Sequence, residues 1–385
     1  MRAVAIVLVV LGHVLLVLRF CVRGAVGWAI MSGYFGVEIF FVLSGFLIGG
    51  ILLRNFSDDG VSGGTLGRFW CRRWLRTLPL YYLFVGVNLA INAALGSPSP
   101  KWVWNLVFLQ NCTTPAGPFF TESWSLAIEE WFYLLAPVAI FLLARTGTPL
   151  KRAVLTTAIG GIVAATGWRM HVVASTNPDW LRAVRTVVTM RFDACMFGVF
   201  AAWWHRYAPA SWNAWRSVKL IAGLLCLVGA GLMFRFLPVN GSFAARTHLF
   251  TLTSVGAMLC LPALAALHSV PGKLAGGATR LSQWSYALYL VNVPVFTGCS
   301  VWLAGHVHDG FRQPATAGWT AFTAVSLSLL ASAALHYGYE RPILRWRDRH
   351  VRATQEAADD TGAVDAGEVT TAETAAPFAP VAKAT

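Results

Sequence analysis

The sequence predicts an all-α, polytopic membrane bundle of about ten spans. Three observations carry that class. Of the 385 residues, 56% are hydrophobic, and the mean hydropathy is +0.59. Only 12% are charged, against about 25% in an ordinary soluble domain. Apolar runs of membrane-crossing length recur along the chain, each close to the roughly 20 residues that a bilayer demands. One large water-soluble core is a poor alternative, because such cores stop growing at roughly 250–300 residues.

In chain order the runs lie at 3–20, 35–53, 77–95, 126–144, 153–173, 190–205, 219–237, 249–267, 283–303 and 318–337. The first starts directly after Arg2, and no small-residue cleavage site follows it before the second. It reads as a retained helix, not a signal peptide, and its abrupt start leaves room for a few upstream residues. The segment Trp102–Leu109 is too short to span and suits a re-entrant or interfacial position. From Ala353 the composition turns to Ala, Thr, Asp and Glu without apolar period. The division is therefore a transmembrane domain over 1–352 and a disordered tail over 353–385.

The net charge of +13 follows from orientation, and no basic, aromatic-lined groove points to nucleic acid. With the N-terminus in the cytoplasm, twenty of the thirty Lys and Arg residues fall on that side, as the positive-inside rule requires. An even number of spans then returns the C-terminus to the cytoplasm. Counting Trp102–Leu109 as a span would erase this bias. The seven cysteines are widely spaced and form no CxxC pair, so neither a disulfide framework nor a metal site is signalled, and no metal is expected.

Ionisable groups inside apolar helices are the candidates for chemistry. His13 stands about 16 Å along the first helix from Arg2, near the middle of a core about 30 Å thick. The two residues are three turns apart and share a face. Its alternatives are a neutral imidazole acting as general base and a packing histidine hydrogen-bonded between helices. Glu38 falls near the outer end of the second span, as a site carboxylate or an interfacial one. Ser44 and Gly45 suit close helix approach; Ser44 lacks the nucleophile elbow of a catalytic serine. Arg73 and Arg76 share a face one turn apart in a stretch of bases and aromatics, Arg68–Pro79. That stretch reads as an amphipathic helix on the inner surface. It is either a lipid anchor or a clamp for phosphate oxygens. Glu129 and Glu130 follow Ser123 and Ser125 at the start of the fourth span. Adjacent helix positions point about 100° apart, so one of the two carboxylates is expected to face a site. Arg191-Phe192-Asp193, Ser285 to Asn292, and Glu340-Arg341-Pro342 read as structural.

In this order, the stretches Arg2–His13, Gly36–Phe46, Arg68–Pro79, Ser123–Pro137, Ser285–Pro294 and the Glu340-Arg341-Pro342 ending resemble the acyltransferase-3 family of membrane O-acyltransferases. The resemblance covers nearly all of the chain before the tail. It implies a ten-helix fold that moves acyl groups, often acetyl, from acyl-CoA to sugars or sugar-bearing molecules. It implies Arg2 and His13 as an essential pair, Arg73 and Arg76 as donor-side arginines, and acidic roles for Glu38, Glu129 and Glu130. One departure stands out. Many members place a histidine where this chain has Asn292, and an amide cannot take up a proton.

The expected function is therefore that of a multi-pass plasma-membrane O-acyltransferase. Its donor would be acyl-CoA, with acetyl-CoA as the expected form, and its acceptor a hydroxyl of a carbohydrate or glycosylated molecule. The rival class is a transporter or flippase for a glycan or lipid-linked precursor. Transporters often carry related halves, and no such repeat is visible.

Overall fold

A computed structural model of the chain describes residues 1–58, 60–97, 99–267, 273–306 and 312–350. All regular structure among the described residues is helical. The long helices are α1 (Arg2–Val17), α2 (Ala25–Asp58), α3 (Gly63–Ala94), α4 (Ser123–Arg145), α5 (Leu150–Thr176), α6 (Phe192–Tyr207), α7 (Arg216–Phe236), α8 (Phe243–Ala265), α9 (Lys273–His306) and α10 (Pro314–Leu335). The last continues through a π-helical turn, His336–Glu340. Among the described residues, nine helices are long and apolar enough to cross a membrane. The shorter α6, of 16 residues, occupies the sixth expected run. The expected tail, 353–385, lies outside the described residues.

Helix α2 is the axis of the bundle, flanked by α1 on one side and α6 on the other. Close approach depends on missing side chains. A Cβ at Gly36 would stand 2.7 Å from the carbonyl oxygen of Ala5 on α1. At the α2–α6 crossing, Gly45 faces the Cys195 carbonyl and Gly198 faces that of Val42. No larger residue fits there without separating the helices, which is how small residues bring membrane helices together. The Gly45 expectation holds on this geometry.

The third span differs from its expected bounds. The stretch Arg68–Pro79 is not a separate surface helix; it is the first half of a continuous α3. The Ser62 side chain caps its start by accepting from the Thr65 amide at 3.1 Å. Pro79 lies inside α3. The carbonyls of Thr77 and Pro79 accept hydroxyls from Tyr286 and Tyr339 at 2.8 and 3.3 Å. Neighbouring helices thus serve backbone groups around a proline, as membrane interiors demand. Continuity carries Arg73 and Arg76 up from the surface into the bundle. The Trp102–Leu109 segment forms only a 3-10 turn and the four-residue helix Val103–Leu106, in line with its non-spanning reading.

Glu38 is held in a buried ion pair. Its two carboxylate oxygens accept from Arg191 Nη2 at 2.6 and 2.7 Å. Arg191 Nε stands 3.9 Å from Asp193, whose other oxygen accepts from Arg169 at 2.7 Å. All four side chains have zero exposure. Arg169 also donates to the carbonyls of Met190 and Thr247 at 2.7 and 3.2 Å, and Arg191 lies 3.8 Å over the Phe250 ring. This chain of alternating charges ties α2, α5, α6 and α8 together. Both oxygens of Glu38 are thereby engaged by Arg191 with no exposure, so Glu38 is not the water-facing interfacial carboxylate that is the alternative to a site residue.

Candidate functional site

Three cavities follow one another through the bundle. The first, about 560 Å³, is bordered by Arg54, Asn55, Arg72, Arg73, Arg76 and Arg347, with Asp348 as its carboxylate. The second is a narrow space of about 80 Å³ into which Arg2, Ser44, Arg73, Arg76, Glu129 and Tyr289 project. The third, about 430 Å³, contains His13, Glu122, Arg185, Tyr289 and Asn292 in its wall. Arg73 and Arg76 belong to both the first and second; Val37 and Tyr289 belong to both the second and third. The three cavities thus adjoin through shared walls: a basic vestibule, a narrow space among arginines, and, on the other side of Val37 and Tyr289, the cavity of the histidine.

The narrow cavity is organised by α4. Glu129 accepts from Ser44 Oγ at 2.7 Å and from Tyr133 Oη at 2.8 Å. Arg73 donates to the Tyr133 hydroxyl, stacks 3.9 Å over its ring, and stands 3.9 Å from Glu129. Arg73 is therefore anchored. The guanidinium groups of Arg2 and Arg76 have no hydrogen-bond or ion-pair partner among the described residues, and both residues line the cavity. Of the adjacent carboxylates only Glu129 reaches this space. Glu130 turns away and accepts from Thr77 at 2.9 Å in a buried setting. Ser44 donates to Glu129 from the middle of the continuous helix α2, not from a strand-to-helix nucleophile elbow.

His13 is placed differently from Arg2. The two share a face of α1, as spacing requires, yet they open into separate cavities. His13 Nδ1 lies 2.9 Å from the Val9 carbonyl oxygen. A carbonyl only accepts, so Nδ1 carries the proton, and the neutral ring keeps its lone pair on Nε2. Nε2 has no protein partner among the described residues. The ring rests against Phe296, 5.7 Å between centroids, and is half-buried. The ring is oriented by a hydrogen bond within its own helix and borders a cavity; no hydrogen bond bridges it to another helix among the described residues.

Three residues of this cavity escaped the sequence reading. Tyr289 donates to the Glu122 carbonyl at 3.1 Å and pairs with Ser125 Oγ at 2.5 Å, which fixes it between the two inner cavities. Glu122 immediately precedes α4. Its side chain meets Thr121 Oγ1 at 3.3 Å, and its other oxygen is buried without a partner. Burial pushes this carboxyl up to about 7. Arg185, just after the short helix Trp180–Val184, stands 4.9 Å over the Trp124 ring. Asn292 gives its amide hydrogens to the Leu288 and Tyr289 carbonyls at 2.9 and 3.0 Å, a structural use that needs no proton uptake.

Comparison with known proteins places these features in context. A family model described as an acyltransferase domain matches residues 1–337. Peptidoglycan O-acetyltransferase OatA of Listeria monocytogenes is 27% identical over 320 residues, 77% of this chain and 48% of that protein. YrhL of Bacillus subtilis, provisionally named a peptidoglycan O-acetyltransferase, is 31% identical over 46% of this chain and 30% of its own length. A provisionally named O-acetyltransferase of Staphylococcus aureus is 32% identical over 30% of this chain and 21% of its own. The chain thus spans about half the length, or less, of these relatives. No solved structure matches it.

Proposed function

The chain belongs to the acyltransferase-3 family, and from that premise we propose that it moves an acetyl group from acetyl-CoA to a hydroxyl of a carbohydrate acceptor, across the plasma membrane. The observation that carries this reading is the run of cavities from an arginine-bordered vestibule to the free Nε2 of His13.

The vestibule is the donor entrance and faces the cytoplasm with both termini. Arg54, Arg72 and Arg347 suit the phosphates of CoA, since guanidinium forks bind phosphate oxygens bidentately. Arg2 and Arg76, whose donors are uncommitted, continue the anion path. Arg73 holds Glu129 and Tyr133 in place and acts through them. The distance along α1 from Arg2 to His13, about 16 Å, is one an extended pantetheine arm spans. The acceptor enters the third cavity from the opposite side, where Glu122 offers hydrogen bonds to hydroxyls. His13 Nε2 takes the hydroxyl proton as the oxygen attacks the thioester carbon. The carbon–sulfur bond breaks, and the CoA thiolate leaves with the proton returned by the imidazolium. The relatives named for peptidoglycan make a cell-wall glycan the first acceptor to test.

Membranes containing the chain, given radiolabelled acetyl-CoA and a peptidoglycan glycan strand, are expected to label the glycan. Movement of glycan without consumption of acetyl-CoA would favour the transporter class instead. In the same assay Arg76→Ala is expected to raise the KM for acetyl-CoA about 10- to 100-fold, the range for losing one charged hydrogen bond. An unchanged KM would reject the clamp.

A further inference from the structure

The third cavity is bordered by a cation, Arg185, whose charge no carboxylate among the described residues pairs. The Arg185 guanidinium has no hydrogen bond and no ion pair among the described residues, and its Nε is buried without a partner; only the backbone of Arg185 is engaged, its carbonyl accepting from Arg191 at 3.3 Å. Its neighbours explain why it is left over. Arg191, six positions on, takes both oxygens of Glu38 and shares Asp193 with Arg169. Those two carboxylates and two guanidiniums already balance. Glu122, the carboxylate of the same cavity, lies beyond ion-pair distance of Arg185, and its own second oxygen is also unpartnered. The Trp124 ring supports the guanidinium from one side at 4.9 Å, which holds its plane without neutralising it.

Leaving a guanidinium without a counter-charge is costly, and the cost is recovered when an anion binds it bidentately. Resting on the acyl-transfer reading, we infer that the acceptor itself is anionic: it carries a carboxylate or phosphate that Arg185 binds while the hydroxyl to be acylated lies at His13. The two residues border one cavity of about 430 Å³, large enough for a sugar residue and its charged substituent together. A neutral glycan would leave Arg185 as unmatched as it is now. Arg185 is on this view a specificity residue, separate from the donor-side arginines, which open into the other two cavities.

The test uses three acceptors built on one aminosugar disaccharide: the free carboxylic acid, its methyl ester, and a 1-phosphate lacking the carboxylate. Acetylation by the full chain in membranes is measured for each with acetyl-CoA, in wild type, Arg185→Gln and Arg185→Lys. Wild type is expected to favour at least one anionic acceptor over the ester by tenfold or more in kcat/KM, and which one it favours identifies the group. Arg185→Gln is expected to bring that ratio close to one through KM for the acceptor, and Arg185→Lys to restore part of it. Equal use of all three by wild type overturns the inference. So does an Arg185→Gln variant whose kcat falls alike on every acceptor, since that marks transition-state stabilisation. If no acceptor is acetylated, the transfer reading fails, and binding of the three disaccharides to detergent-solubilised protein without donor decides the inference by itself. A tenfold preference for an anionic disaccharide that Arg185→Gln removes upholds the anion site; no preference rejects it.

Discussion

His13→Ala is expected to lower acetyl transfer by about 10²- to 10⁴-fold, the contribution of a well-placed general base, while leaving the protein folded. The second half of that expectation is as structural as the first. The ring's hydrogen bond is to the Val9 carbonyl one turn back on its own helix, and it links no second helix. The ring is half-buried against a cavity, so its removal leaves no unsatisfied group in a packed core. Its outward nitrogen is where the effect must arise. His13→Gln sharpens the test, because an amide in that place hydrogen-bonds without taking a proton and should be as inactive as alanine. Protein extracted into detergent should elute as wild type does, and acetyl-CoA should bind with unchanged affinity, because the donor-side arginines lie in other cavities. Acetyl transfer retained by folded His13→Ala protein would remove the base from the mechanism.

What could be read from the sequence was what depends on one helix at a time. Apolar runs marked the spans because a bilayer selects for length and hydropathy. The depth of His13 followed from helical rise, and the turning apart of Glu129 and Glu130 from helical twist. Helix ends were less legible. Residues 25–34 and 54–58 mix Gly, Ser, Trp and Arg with apolar residues, yet α2 continues through both, since backbone hydrogen bonding does not stop where hydropathy falls. Arg68–Pro79 looked amphipathic and separate for the same reason, although Pro79 is tolerated inside α3 once tyrosines from other elements serve the nearby carbonyls. Pairings between helices were not legible at all. Glu38 and Arg191 stand 153 positions apart, and no spacing rule connects them. Neither Glu122, just before α4, nor Arg185, in the loop before α6, sits within a motif that marks it. Their shared cavity with His13 exists only after the chain has folded.

The Glu38 pairing has a consequence opposite to that of His13. Glu38→Ala is expected to remove about 3–5 kcal/mol of stability, the cost of breaking one partner out of a buried pair, and to leave much less folded protein in the membrane. Total stabilities are only about 5–15 kcal/mol, so the loss is a large share. The charges say why. Glu38 and Asp193 balance Arg191 and Arg169, all with zero exposure. Removing Glu38 leaves one positive charge uncompensated among α2, α5 and α6, with Asp193 contested by two guanidiniums. Removing Arg191 as well restores neutrality, so Glu38→Met with Arg191→Met is expected to recover folded protein that neither single change yields, as replacing a whole buried pair by apolar groups often does. Thermal melting of detergent-solubilised protein measures this, and activity per folded molecule separates it from catalysis. A Glu38→Ala protein that melts like wild type yet transfers no acetyl group would place Glu38 in the chemistry and break the ion-pair account.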